Sequence, residues 1–71
     1  MEKPSFEELE FFREELVNTR MDLGLNLREF APLLNISYSY LSRLETGDRN
    51  PSKKTLNVLI SKLKEIEKDT F

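Results

Sequence analysis

The sequence predicts an all-α domain, a compact bundle of four to five short helices. Three observations carry this. Apolar residues recur at helical spacing along the chain, helix caps and stop signals stand at the ends of those stretches, and no stretch alternates apolar and polar residues as a half-buried strand does. With 71 residues, the chain reads as one domain over 1–71, near the lower size at which a core forms unaided.

The first helix is predicted over residues 6–22, within "KPSFEELEFFREELVNTRMDLG". Ser5 and Glu8 stand at capping-box spacing, and Gly24 offers a stop. Phe6, Leu9, Phe12, Leu16 and Met21 recur at roughly helical period, and Phe11 falls off that stripe. Residues 1–15 form an acidic N-terminal extension of this helix.

In "LNLREFAPLLN", Asn26 and Glu29 repeat the capping-box spacing, and Leu25 and Phe30 stand at hydrophobic-staple spacing. The expected helix runs 27–34 and ends at Asn35, a residue type that tolerates the left-handed conformation. Pro32 lies inside it, where a regular helix would lose a hydrogen bond at about 3 kcal/mol or more. Either a kink or a helix tightened around the proline should result.

Ser37 can cap a third helix over 38–46, within "NISYSYLSRLETG". On a helical wheel, Tyr40, Leu41 and Leu44 share one arc, while Tyr38, Ser39, Ser42, Arg43 and Thr46 spread over the other. One side belongs to a core; the other presents hydroxyls, a phenol and a guanidinium. "GDRNPS" follows as a turn, and Ser52 caps a last helix with the stripe Leu56, Leu59, Ile60, Leu63 and Ile66. That helix either runs unbroken to about Lys68 or breaks near Ser61. Two short helices joined by a tight turn at "NIS" give helix-turn-helix spacing over 27–46.

Composition narrows the function. The chain has no Cys and no His, which removes disulfides, thiolate metal sites and the commonest metal ligand and neutral-pH base. Carboxylates are plentiful but form no set with a nucleophile, and only two glycines leave no phosphate-cradling loop. An enzyme is therefore not expected, nor a cofactor or metal. No apolar run nears 18 residues and no charged-then-apolar leader is present, so the expectation is a cytoplasmic protein with no membrane partner.

The net charge of −2 conceals a pattern. Residues 1–19 carry six acidic and two basic side chains, residues 20–64 four and eight, and residues 65–71 three and one. A basic middle between acidic ends points towards a phosphate-bearing partner, although charges that merely solvate a helical surface would look similar.

The stretch "TRMDLGLNLREFAPLLNISYSYLSRLETGDRNPS" resembles the Xre-type, phage-repressor-like helix-turn-helix domain, also described as lambda-repressor-like. The resemblance covers about residues 16–64. It rests on Arg20, "LGLN", Ala31, Ile36 and "YLSRLETGDRNPS" taken together. It implies a bundle of about five helices that binds double-stranded operator DNA, usually as a homodimer. Tyr38, Ser39, Ser42 and Arg43 then occupy the outer face of the recognition helix, consistent with the wheel above. A helix fits the major groove, with residues near its N-terminus reaching the bases. Arg43 would bond a guanine or a phosphate; Tyr38 would meet a thymine methyl or a phosphate.

By the same resemblance, Asn26 lies where the family grips backbone phosphate. Arg28, Arg49, Lys53 and Lys54 would flank the groove and add sequence-blind attraction. Lys53 and Lys54 oppose the dipole of the helix they open, which suggests a role outside the fold. Arg20 and Glu45 match an internal ion pair that links the first helix to the recognition helix. Two departures stand out: Leu27 replaces a phosphate-binding glutamine, and Tyr38 replaces the glutamine often found at the head of the recognition helix. The added aromatics Phe6, Phe11 and Phe12 would serve as core, as a dimer seam or as a surface for another protein. The expected function is a sequence-specific, repressor-type transcriptional regulator on a near-palindromic operator. The alternative is a protein-binding module of the same fold, antitoxin-like or regulator-docking, with weak or no DNA binding.

Overall fold

A computed structural model describes residues 2–70. Within them the chain forms helices α1 (Phe6–Asp22), α2 (Leu27–Phe30), α3 (Tyr38–Thr46) and α4 (Lys53–Thr70), with a 3-10 turn over Ala31–Leu34, and no strand. None of these helices is long and apolar enough to cross a membrane.

Each boundary has a local cause. Ser5 and Glu8 close the capping box of α1, each backbone N–H donating to the other's side chain at 3.1 Å. At the other end Gly24 takes a left-handed φ of 68°. Its N–H donates to the Met21 carbonyl and the Leu25 N–H to that of Arg20, a Schellman closure. α2 opens on the Asn26–Glu29 box. The helical path then tightens into the 3-10 turn at Pro32, so the proline is absorbed by a change of helix type rather than a break. Asn35 closes that turn at φ 58° and ψ 40°, where the Asn35 and Ile36 N–H groups donate to Pro32 and Ala31. Ser37 caps α3, which ends at Gly47 with φ 88°. α4 is continuous through Ser61, and the Ser52 hydroxyl accepts from the Thr55 N–H at its start.

One core joins every helix. Phe12 and Leu16 of α1, Phe30 with Ala31 and Leu34, Leu41 and Leu44 of α3, and Leu56, Leu59 and Leu63 of α4 are all buried. Tyr40, Ile60 and Ile66 pack partly against them. At about 25 cal/mol per Å² of apolar surface removed from water, such a cluster is the main term that offsets chain entropy in a domain this small.

Three expectations for α1 are corrected. Phe12 is only 1% exposed, so it is a core residue and not part of any dimer or partner surface. Phe6 and Met21 leave the core stripe, at 75% and 65% exposure. Met21 follows Leu16 by five positions, which turns it well away from the face on which Leu16 and Thr19 are buried.

Candidate nucleic-acid interface

The outer face of α3 depends first on how that helix is held. Leu41 and Leu44 bury its inner side. Arg20 of α1 then fixes its far end. The guanidinium donates through Nε to Glu45 Oε2 at 2.8 Å and through Nη2 to Oε1 at 3.0 Å. Its Nη1 also donates to the Leu25 carbonyl at 3.0 Å. The pair is half-buried, with side-chain exposures of 21% and 12%. The hydrogen bonds to Glu45 raise the Arg20 pKa above its ordinary value, with burial acting the other way.

From α4, the Lys62 ammonium donates to the Leu34 carbonyl at 3.0 Å. The cation thus ties the last helix to the end of the 3-10 turn, directly before the left-handed Asn35 that aims α3. Sequence reasoning missed Lys62, because 28 residues separate the partners and no local pattern links them. Two more long-range ties went unseen for the same reason. Arg13 donates to Asn50 at 3.2 Å, and Thr19 to Glu67 at 3.0 Å.

The outer side of α3 carries the residues expected to face bases. Tyr38, Ser39 and Arg43 are exposed and Ser42 is half-buried. Among the described residues, no side-chain hydrogen bond or ion pair uses Ser39, Ser42 or Arg43, whereas Ser37 and Thr46 at the two ends of the helix bond the backbone. Helix α3 therefore presents unspent donors and acceptors along one face.

The five residues expected at phosphates divide. Arg28 is exposed, with its guanidinium carbon 4.4 Å from the centroid of the Tyr38 ring. Arg49 is exposed, 5.7 Å from the Tyr40 ring. Lys54 is exposed. Asn26 is exposed, but its backbone N–H and Oδ1 are committed to Glu29. Lys53 lies 3.4 Å from the Glu8 carboxylate, so its unfavourable place at a helix start is partly offset within the fold. Glu8 in turn is held below the usual carboxylate range, chiefly by the Ser5 backbone N–H, with a lesser contribution from Lys53 and an opposing one from burial.

No group of residues suited to hold a metal occurs among the described residues. The fold and this face define a helix-turn-helix DNA-binding domain. A family profile described as "Helix-turn-helix" matches residues 18–70. The chain belongs to the Xre-like helix-turn-helix family of DNA-binding transcriptional regulators. It is similar to the HTH-type transcriptional regulator DdrOP3 of Deinococcus deserti, at 46% identity over 48 residues. That match takes in 68% of this chain and 37% of the relative, so the chain spans well under half of the relative's length. No solved structure matches.

Proposed function

We propose that this chain is a repressor-type transcriptional regulator that acts in the cytoplasm and binds a near-palindromic operator as a homodimer. Ser39, Ser42 and Arg43 read base edges in the major groove, with Tyr38 at the head of the same face. Asn26, Arg28, Arg49 and Lys54 meet backbone phosphates, and Lys53 contributes once it exchanges Glu8 for DNA. The observation that carries this reading is the unspent polar face of α3, braced from behind by Arg20–Glu45 and Lys62–Leu34. A molecule whose longest dimension is 32 Å offers one recognition helix to one half-site, and half-sites a turn apart lie about 34 Å from each other. A second copy supplies the helix for the other half-site.

The test is in vitro selection from a random duplex library, comparing the native chain with a Ser39→Ala, Arg43→Ala double variant. A two-fold symmetric motif that only the native chain enriches supports the reading. Binding should also weaken steeply with salt, each neutralised phosphate adding about −0.9 to the log–log slope.

A second reading has its own observation. Phe6 and Phe11 of α1 are 75% and 54% exposed. Aromatics so placed suit a dimer seam or a docked protein. Absence of any enriched duplex at low salt would favour a protein-binding module with weak or no DNA binding.

A further inference from the structure

Arg28 stands on α2 and Tyr38 opens α3, yet the guanidinium of one lies over the ring of the other at 4.4 Å. At that distance the cation rests on the electron-rich ring face. Both side chains are exposed, so core packing does not force the contact. It forms the rim of a cleft of about 400 Å³ lined by Arg20, Asn26, Leu27, Arg28 and Tyr38. The other lining groups have little to offer an anion. Arg20 is committed to Glu45 and the Leu25 carbonyl, Asn26 is half committed to Glu29, and Leu27 has no side-chain donor. Arg28 is the cation on this cleft whose donors remain unspent among the described residues. Stacking uses the face of a guanidinium, while its N–H groups lie in the plane, so the edge stays available for bidentate bonding.

We infer that Tyr38 is a positioning residue. Its ring holds the Arg28 guanidinium over the α2–α3 cleft so that the guanidinium edge grips a phosphate of the DNA backbone. The inference rests on the DNA-binding reading above and deepens it: the ring serves Arg28 and not a base. One ring face is covered by the cation and is closed to a thymine methyl. A pre-placed arginine also has less freedom to lose on gripping phosphate than a solitary one.

The experiment is a double-mutant cycle on a duplex selected with the native chain, measured across a salt series. Arg28→Ala should reduce the magnitude of the salt slope by about 0.9. Tyr38→Phe keeps the ring and should stay within about twofold of native affinity, while Tyr38→Ala should weaken binding about two- to fivefold. In an Arg28→Ala background, Tyr38→Ala should have no further effect, and it should leave the selected base motif unchanged. Because both positions are exposed, melting temperatures near native serve as the folding control, and Arg28→Lys provides a second variant that keeps charge but stacks less well.

Additive losses, a Tyr38→Phe defect as large as that of Tyr38→Ala, or a shifted base preference in Tyr38→Ala would each overturn the inference and leave the DNA reading standing. A native chain that selects no duplex would overturn both.

Discussion

The Arg20 guanidinium meets the Glu45 carboxylate side-on, with paired contacts at 2.8 and 3.0 Å, and joins the end of α1 to the last turn of α3. The geometry is bidentate and the third donor is taken by Leu25, so removing either partner leaves half-buried polar groups short of bonds. Full burial would put that loss at about 3–5 kcal/mol. With 21% and 12% side-chain exposure, water relieves part of it, and Glu45→Ala should cost about 2 kcal/mol. Chemical denaturation measures this directly. A midpoint unchanged from native would show that the pair does not brace the recognition helix.

Phe12 and Phe11 are adjacent in sequence and opposite in fate. Phe12→Ala should cost about 3–5 kcal/mol through lost burial and the cavity left behind. Phe11→Ala, at a half-exposed position, should stay within about 1 kcal/mol. Equal losses at the two positions would contradict the placement of α1.

Asn35 carries a φ of 58° as the residue that turns the chain from the 3-10 segment towards α3. Asn35→Ala keeps the Cβ but removes the amide that compensates it locally and should cost about 1 kcal/mol, whereas Asn35→Gly should be near neutral. Urea midpoints of the two variants give the comparison. Alanine tolerated as well as glycine would argue against a left-handed turn.

Lys62→Met keeps the apolar stem and removes the donor to the Leu34 carbonyl. The expected loss is about 1–2 kcal/mol, with partial recovery in Lys62→Arg. Thermal melts of the three proteins side by side test it, and no recovery by arginine would mean that the ammonium bond is not what matters.

Glu8 makes stability depend on acid. Its folded pKa lies below its ordinary value of 4.5, chiefly through the Ser5 N–H. The carboxylate's contribution is therefore fully present above that ordinary value and is lost as pH falls through the lowered folded one. The melting-temperature gap between native chain and Glu8→Ala should be constant near neutrality and close well below pH 4.5. A gap that widened on acidification would reverse the sign and refute the assignment. The chain has no histidine, so side-chain titration should leave its melt nearly flat between about pH 6 and 8.

Much of this was legible because it is written locally. The spans of α1 and α3 follow from Ser5, Ser37, Gly24 and Gly47, each of which satisfies or ends a helix within a few residues of itself. Pro32 announced a distortion, and the 3-10 turn is the form it took. Met21 and Phe6 misled because a loose helical period was extended past both ends of the stretch that the core selects. The face of α3 was readable from its wheel, but the condition of the cations around it was not. Glu8 beside Lys53 and Tyr38 beneath Arg28 depend on how separate helices cross, and neither pairing leaves a mark in residue spacing.

The first and last helices pack against each other, and Phe12 and Leu16 share one core with Leu56, Leu59 and Leu63. Helix α1 also packs on α3, so α4 closes a core that α1 and the helix-turn-helix already share. The helix-turn-helix is made midway, but its buttress at Lys62 arrives later. A chain clipped before α4 therefore loses Leu56, Leu59 and Leu63 from the core and the Lys62 brace behind α3 together.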